Sequence, residues 1–230
     1  MERLAHTLEH LDGPLADRAT LAGNLRDLRR VNRYLGGAAL SGRAIDALAT
    51  TGPISLLDVG TGAADIPIAL LTSWQAAGRR LEVTAIDSRA EVIAAAAEAA
   101  GPVPGLRLDV ADGRDLPFDD RSFDIAHASL VLHHLEPDEA VALLREMSRV
   151  ARLGVVVNDL ARGRLAWVGA WLLAHLTTAN AFTRHDAPLS VRRAYTAAEA
   201  SALLERAGLR PVFQARGFLG HRWVIAVRHP

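Results

Sequence analysis

The 230-residue chain contains no cysteine, and all 26 of its lysine-or-arginine positions are arginine, so lysine is absent as well. Without lysine the chain cannot form a pyridoxal Schiff base or supply the phosphate-binding lysine of a P-loop. Without cysteine it has no thiol nucleophile, no cysteine-based zinc site, no iron–sulfur cluster and no disulfide. Enzyme classes that depend on these groups are therefore excluded.

Long hydrophobic runs are also lacking. The longest, LAWVGAWLLA at residues 165–174, is about half of the ~20 residues that a membrane-spanning helix needs. The first ten residues, MERLAHTLEH, are acidic and have no apolar centre, so they do not have the pattern of a signal peptide. We therefore expect a cytoplasmic protein without a membrane span.

The charges balance overall but not along the chain. Residues 1–150 carry 15 arginines and 22 acids, whereas residues 151–230 carry 11 arginines and four acids. The net charge of zero gives no indication of a nucleic-acid partner. The asymmetry is open to two interpretations: complementary packing of the two parts, or an electropositive lid over an anionic substrate.

From Ser55 onward, short apolar runs alternate with helical patterns, which is typical of a doubly wound, mainly parallel α/β sheet. The predicted strands are SLLDV, LEVTAID, LRLDV, FDIAHAS and GVVVNDL, and RPVFQARG and RWVIAVR form a closing hairpin. We predict one domain of residues 1–230. It comprises an N-terminal helical cap (1–50), a cofactor-binding core (51–160), a helical lid inserted after the fifth strand (161–196), and a C-terminal helix with the hairpin (197–230).

A glycine-rich turn, GTGAAD, follows the first predicted strand. Gly60 and Gly62 allow the backbone to approach a ligand closely, as in the dinucleotide-binding pattern G-x-G-x-x-G. The third glycine of that pattern is replaced by Asp65, which would repel a pyrophosphate by about 4 kcal/mol at ~4 Å and an effective dielectric constant near 20. The turn therefore favours a nucleoside that carries positive charge and no phosphate.

Acidic residues recur where predicted strands end. Asp58 and Asp87 lie in the first two strands, and Asp112 lies in the loop after the third. The carboxyl ends of parallel strands meet at one edge of a sheet, so these acids should converge on the ligand site. Asp87 follows Gly62 at about the spacing at which an acid binds the ribose hydroxyls of a nucleoside.

These segments, LLDVGTGAADIP, TAIDS and VADGRDLPFDDRSFDIAHASLVLHHLEP, resemble the successive motifs of class I S-adenosylmethionine-dependent methyltransferases. The resemblance covers about residues 55–160 and implies S-adenosylmethionine as the cofactor. It implies a Rossmann-like sheet of seven strands with an antiparallel C-terminal hairpin. It also implies that an N-terminal cap and an insertion after the fifth strand build the acceptor site.

Carried over position by position, the resemblance assigns roles to nine residues. Asp58 would support the loop, and Ser129 would lie near the methionine carboxylate or the methyl group. The methionine moiety would be held by Gly60, Thr61 and Gly62, the ribose by Asp87 with Ser88 beside it, and the adenine edge by Asp112 and Gly113.

The acceptor is expected to be a small molecule. No Asn-Pro-Pro-aromatic or Asp-Pro-Pro-aromatic motif is present, and there is no cysteine for attack on a pyrimidine. The chain resembles bacterial methyltransferases of phenolic, quinone or polyketide-type metabolites, which implies O-methylation first and C-methylation second. Trp167, Trp171, Leu172 and Phe182 are expected to line an apolar acceptor pocket.

A neutral histidine is a plausible base for a phenol. The candidates are His133, His134 and His185. Neighbouring residues of a helix do not share a face, so His133 and His134 are expected to point in different directions and at most one of them to face the acceptor. Of these two, His134 is favoured, and His185 is the candidate from the lid. The cap residues Arg30, Asn32, Arg33 and Tyr34 are expected near the mouth of the cofactor site. No metal site is expected, and a homodimer is possible.

Two other functions stay open from the sequence. An NAD(P)-dependent oxidoreductase is disfavoured by Asp65 and by the absence of a catalytic lysine. A regulator or assembly subunit that binds S-adenosylmethionine without turnover would retain the same glycines and Asp87.

Overall fold

The computed structural model describes residues 1–13 and 17–229; residues 14–16 of the predicted cap and residue 230 lie outside this part. Seven strands form one sheet in the order β3-β2-β1-β4-β5-β7-β6. β7 is antiparallel to β5 and β6, and the other pairs are parallel. The predicted Rossmann-like fold is therefore confirmed. The strands are β1 (Ile54–Val59), β2 (Leu81–Asp87), β3 (Leu106–Val110), β4 (Phe123–Ser129), β5 (Ala151–Leu160), β6 (Pro211–Arg216) and β7 (Arg222–Arg228).

The helices begin and end at recognisable signals. α5 and α8 begin with reciprocal capping boxes, Glu136 with Glu139 and Thr196 with Glu199. α1 and α2 are separated at Gly36, whose φ of 75° is left-handed. The helices are α1 (Arg18–Tyr34), α2 (Gly37–Leu48), α3 (Asp65–Ala76), α4 (Ala90–Ala100), α5 (Pro137–Val150), α6 (Arg164–Thr177), α7 (Ala181–Arg193) and α8 (Ala197–Arg206).

Two apolar layers cover the sheet. On one face, α5 and α8 bury Leu143, Met147 and Leu203 against β1, β4 and β5. On the other face, α2 buries Leu40 and Ile45 with α3 against the sheet. α2 is therefore a layer of the core rather than part of a cap, and the covering N-terminal part consists of residues 1–13 and α1.

The N-terminal segment, residues 1–13, lies over the carboxyl edge of the sheet. It contains a 3-10 turn, His10–Asp12. The backbone amides of His10 and Leu11 donate to the Asp186 carboxylate at 2.8 and 3.1 Å. The Leu4 amide donates to the Arg192 carbonyl at 3.0 Å. α7, which holds both partners, and the N-terminal segment therefore form one covering layer.

α6 is the least buried of these helices. Its apolar side chains include Leu165, 89% exposed, and Leu176, 79% exposed. Across residues 1–13 and 17–229, no helix combines the length and the apolarity needed to cross a membrane. The predicted homodimer, which would cover this face, stays a prediction.

Candidate functional site

The site lies where the strand order reverses. β2 lies on one side of β1 and β4 lies on the other, so the chain continues in opposite directions from these neighbours. This reversal opens a crevice beyond the carboxyl ends of β1 and β4. Gly60 and Gly62 both adopt left-handed φ, 69° and 54°. A Cβ at Gly60 would overlap the Val131 side chain, whereas a Cβ at Gly62 would meet no atom of the described residues within 4 Å. Gly60 therefore permits close packing of the loop after β1 against the loop after β4, and Gly62 faces open space.

Two hydroxyl groups in these loops are buried without a hydrogen-bond partner among the residues that the structure describes. They are Thr61 Oγ1, after β1, and Ser129 Oγ, at the end of β4. A buried hydroxyl without a partner costs free energy, so each is suited to a polar group of a ligand. This agrees with the predicted positions of both residues around the methionine moiety of S-adenosylmethionine.

Asp87 lies at the end of β2 and shapes the glycine loop. Its carboxylate accepts hydrogen bonds from the Gly62 amide and the Arg89 amide, both at 3.1 Å. Burial raises the pKa of the Asp87 carboxyl against the opposing effect of these amides. Each carboxylate oxygen has a second lone pair, so both can also accept a ribose hydroxyl.

The predicted adenine subsite is more open. Asp112 is exposed, and hydrogen bonds from the Arg114 guanidinium and amide lower the pKa of its carboxyl. Gly113 is tightly packed, because a Cβ there would overlap Val59 and Leu143. Ser88 is exposed beside Asp87. The backbone at Gly113 can therefore approach an adenine ring, while Asp112 already has an arginine partner.

Asp58 is buried and points away from the loop surface. Its carboxylate accepts from His127 Nδ1 at 2.5 Å, and His127 Nε2 lies 2.8 Å from Ser41 Oγ. Asn158 Nδ2 donates to the same Ser41 oxygen at 2.8 Å. This chain of hydrogen bonds ties β1, β4 and β5 to α2. The role of His127 was not predicted, although the alternation of strand FDIAHAS places it on the same face as Ser129.

Two charged side chains, Asp65 and Arg222, lie on the α1 side of the crevice. Burial raises the pKa of the Asp65 carboxyl and lowers the pKa of the Arg222 guanidinium to about 10. Arg222 Nη2 donates to Asn32 Oδ1 at 2.9 Å, but its Nε and Nη1 have no partner in the described part of the chain. Of the four cap residues expected near the cofactor, Asn32 is buried here; Arg30, Arg33 and Tyr34 are exposed.

His133 and His134 do not diverge as predicted. They lie in a 3-10 turn, Leu132–His134, rather than in α5, and their ring centroids are 4.2 Å apart. His133 Nδ1 bonds Asp159 Oδ1 at 2.7 Å, and His134 Nδ1 bonds Asp12 Oδ1 at 2.8 Å. The expectation of opposite directions was wrong because separate carboxylates anchor the two rings. Asp159, at the end of β5, is a fourth strand-end acid that the same sequence rule could have identified.

The environment of His134 differs from that expected of a base. Although burial acts in the other direction, Glu9 and Asp12 raise the pKa of His134 to about 9. Its imidazole is therefore mainly protonated at pH 7 and cannot accept another proton. His134 as the catalytic base stays a prediction that this environment disfavours.

His185 has a more suitable arrangement on α7. Its Nδ1 lies 2.7 Å from Asp186 Oδ1, and its side chain is 46% exposed. Because a carboxylate only accepts hydrogen bonds, Nδ1 carries the proton and Nε2 carries the lone pair of the neutral ring. The ring also stacks on His10 with centroids 3.9 Å apart. Asp186 thus fixes both the tautomer and the orientation of His185.

The residues expected to line an apolar acceptor pocket do not lie together in the structure. Phe182 packs with Leu21, Leu25 and Ala63, beside the glycine loop. Trp171 and Leu172 on α6 are each 43% exposed. Phe182 is therefore next to the predicted cofactor site, Trp167 is half-buried on α6, and Trp171 and Leu172 face outward in this arrangement.

The comparison with protein families gives a match to the methyltransferase domain over residues 56–154. A demethylmenaquinone methyltransferase of Staphylococcus aureus is 37% identical over 101 residues, 44% of this chain and 40% of that protein. An uncharacterized 37.1 kDa protein in transposon TN4556 of Streptomyces fradiae is 27% identical over 210 residues, 90% of this chain and 58% of that protein. The chain thus spans about half the length of the curated relatives it matches.

Solved structures share the fold. A SAM-dependent methyltransferase from Aquifex aeolicus has a TM-score of 0.64 at 18% identity and covers 92% of this chain and 98% of its own. Human N-acetylserotonin methyltransferase in complex with SAM has a TM-score of 0.67 at 16% identity, covering 92% of this chain and 56% of its own. Residues 56–154 are therefore similar to the methyltransferase domain, and the chain shares the fold of solved S-adenosylmethionine-dependent methyltransferases.

Proposed function

We propose that this protein transfers the methyl group of S-adenosylmethionine to a small aromatic, phenolic or polyketide-type acceptor, with O-methylation favoured over C-methylation. One observation carries the proposal: the Gly60–Gly62 loop and the Asp87 carboxylate lie beside two buried hydroxyls, Thr61 and Ser129, that lack partners among the described residues. This combination offers backbone approach, ribose acceptors and polar contacts for an amino-acid moiety within one crevice.

The bound cofactor would supply an electrophilic methyl group on a sulfonium. Methyl transfer is an in-line displacement, so the protein acts mainly by holding the acceptor oxygen in line, an effect that can lower the barrier by ~7–11 kcal/mol. For a phenol, the proton would pass to His185 Nε2. Asp186 would stabilise the resulting imidazolium through the 2.7 Å bond at Nδ1.

The acceptor class rests on two supports. Phe182 adds an aromatic surface beside the glycine loop. The S. aureus relative is named a demethylmenaquinone methyltransferase, which indicates a quinone-type acceptor for that protein. A phenol or hydroxyquinone satisfies both supports.

The direct test is transfer of a labelled methyl group from S-adenosylmethionine to a panel of phenols, hydroxyquinones and amines. We expect product with the oxygen acceptors and little with the amines. Label on a ring carbon would replace O-methylation by C-methylation. Saturable S-adenosylmethionine binding without transfer to any member of a broad panel would support the regulator instead.

Cofactor choice is tested separately by thermal unfolding. S-adenosylhomocysteine should raise the melting temperature in a concentration-dependent manner, because it binds the folded state only. NAD(H) should leave the melting temperature unchanged. The reverse result would overturn the proposal in favour of an oxidoreductase.

A further inference from the structure

Three side chains converge where the N-terminal segment meets the turn after β4. They are Glu9, His133 and His134, and one ligand atom from each lies within 4.8 Å of the others. Glu9 and His133 are almost fully buried, and the His134 side chain is 21% exposed. His133 Nε2 is 3.8 Å from Glu9 Oε1, and His134 Nε2 is 4.0 Å from Glu9 Oε2. These separations are too long for hydrogen bonds, so the three groups face one another without bonding.

Each group is oriented by a second residue. The Nδ1 atoms of His133 and His134 bond the carboxylates of Asp159 and Asp12 at 2.7 and 2.8 Å. This leaves both Nε2 atoms facing Glu9, and each can bind a metal ion through its lone pair once it carries no proton. Ser190 Oγ donates to Glu9 Oε2 at 2.8 Å, whereas Glu9 Oε1 is buried with no hydrogen-bond partner among the described residues.

Negative charge exceeds positive charge around the cluster. The carboxylates of Glu9, Asp12 and Asp159 contact or approach the two rings. Arg193 contacts the cluster, with Nη1 2.7 Å from Asp12 Oδ2 and 3.6 Å from Glu9 Oε1. With a proton on His134, three carboxylates face two positive charges, and buried carboxylates in excess of their counter-charges are costly. A doubly charged cation that replaces this proton would supply the balance.

We propose that Glu9, His133 and His134 bind a divalent transition-metal ion, with Zn²⁺ the best match. Two imidazole nitrogens and one carboxylate oxygen form a ligand set that Zn²⁺ uses at bond lengths of about 2.0–2.2 Å. Tetrahedral geometry at such bond lengths separates ligand atoms by roughly 3.3 Å, so ligand atoms that now lie within 4.8 Å of one another would approach by up to about 1.5 Å. Asp159 and Asp12 occupy the outer positions that carboxylates take behind metal-bound histidines.

The ligands come from distant parts of the chain. Sequence spacing gave no sign of the site because Glu9 lies in the N-terminal segment and the histidines follow β4. A bound ion would therefore tie the N-terminal segment to the carboxyl edge of the sheet. This inference concerns a site other than the cofactor crevice and does not depend on methyl transfer.

Metal content tests the site directly. Protein prepared without a polyhistidine tag is stripped with EDTA and dialysed against micromolar Zn²⁺, and bound zinc is measured by mass spectrometry. The unsubstituted chain should bind about one Zn²⁺. Glu9→Gln and His134→Gln should each weaken binding more than tenfold. The matched controls Glu2→Gln and His175→Gln, both outside the cluster, should bind like the unsubstituted chain.

Thermal unfolding separates loss of metal from loss of fold. Zn²⁺ should raise the melting temperature of the unsubstituted chain and the controls but not that of Glu9→Gln, while Mg²⁺, which prefers oxygen ligands, should have no such effect. Failure of the unsubstituted chain to bind Zn²⁺ would overturn the proposal. So would one Zn²⁺ bound equally well by Glu9→Gln and His134→Gln. Neither result would alter the methyl-transfer assay, so the two proposals are tested independently.

Discussion

The two edges of the sheet differ in how completely their polar groups are paired. At the amino edge, Asp124 accepts hydrogen bonds from the Ser55 amide and hydroxyl at 2.8 and 2.9 Å. Arg152 donates to the other oxygen of Asp124 from both Nε and Nη2, at 3.1 and 2.9 Å. The Asp124 amide in turn donates to Ser55 Oγ at 3.0 Å. This edge forms a closed network that joins β1, β4 and β5.

The carboxyl edge and the segments that cover it contain the unpaired groups. Thr61 Oγ1, Ser129 Oγ, Glu9 Oε1 and two nitrogens of Arg222 are buried without partners among the described residues. Folding alone does not satisfy these atoms, whereas it satisfies those of the amino edge. One edge therefore stabilises the fold, and the other is arranged for ligands. Substitutions at the two edges should therefore affect different measurements.

The largest effect is expected from His185→Ala. Loss of the proposed base should lower kcat about 10²–10⁴-fold while the affinity for S-adenosylhomocysteine changes by less than about threefold. Steady-state kinetics and calorimetry measure the two quantities. His175→Ala, an exposed histidine of the same lid, is the control and should retain full turnover. An unchanged kcat in His185→Ala would remove this residue from the mechanism.

Asp124→Ala tests the amino edge. It removes the acceptor of a network that links three strands, so the free energy of unfolding should fall by about 2–3 kcal/mol. Cofactor affinity at the opposite edge should stay the same. Urea unfolding and calorimetry check the two parts. Asp120→Ala breaks only an exposed ion pair with Arg149 and should cost about 0.5 kcal/mol or less. Equal losses in both variants would contradict the assigned role of the network.

Asp87→Asn and Asp112→Asn compare the two predicted cofactor acids. Loss of charge at Asp87 should weaken S-adenosylhomocysteine binding about 10–100-fold, because hydrogen bonds to a charged group contribute about 1.5–3 kcal/mol. Asp112 is exposed and already bonded to Arg114, so its variant should weaken binding about tenfold at most. Isothermal calorimetry gives both values. A larger effect at Asp112 would reverse the assignment of the stronger subsite.

The smallest effect is expected from Arg222→Lys. Lysine keeps the buried positive charge near Asp65 and Asp159 and removes a guanidinium that has two unpaired nitrogens, so the free energy of unfolding should stay within about 1 kcal/mol of its original value. Urea unfolding measures this change. A loss of more than about 2 kcal/mol would show that the carboxyl edge is as fully paired as the amino edge.

The sequence was sufficient to predict the sheet and the glycine turn after its first strand. Each strand of the parallel part is a short apolar run bounded by turn residues, and the glycines of GTGAAD require special backbone angles wherever they occur. Local pattern therefore determined these elements. Asp87 was predictable for the same reason, because its place is fixed by one strand and one loop.

The covering elements were less predictable because their partners are distant in the chain. The pattern of α2 shows an apolar face but not that this face packs on the sheet. The 3-10 turn at His133 and His134 depends on Asp159 and on Asp12 of the N-terminal segment. No periodicity encodes such contacts, so the prediction of diverging rings failed and Glu9 was overlooked.

The position of the N-terminal segment has a practical consequence. The Met1 carbonyl accepts from Arg162 Nε at 2.9 Å, so an affinity tag placed ahead of it would emerge among the residues that cover the site. β7 runs antiparallel to β5 and ends at Arg228, opposite Gly154 near the start of β5. A tag attached beyond β7 would therefore extend from the amino edge, on the far side of the sheet from the cofactor crevice, and is the better choice for binding and metal measurements.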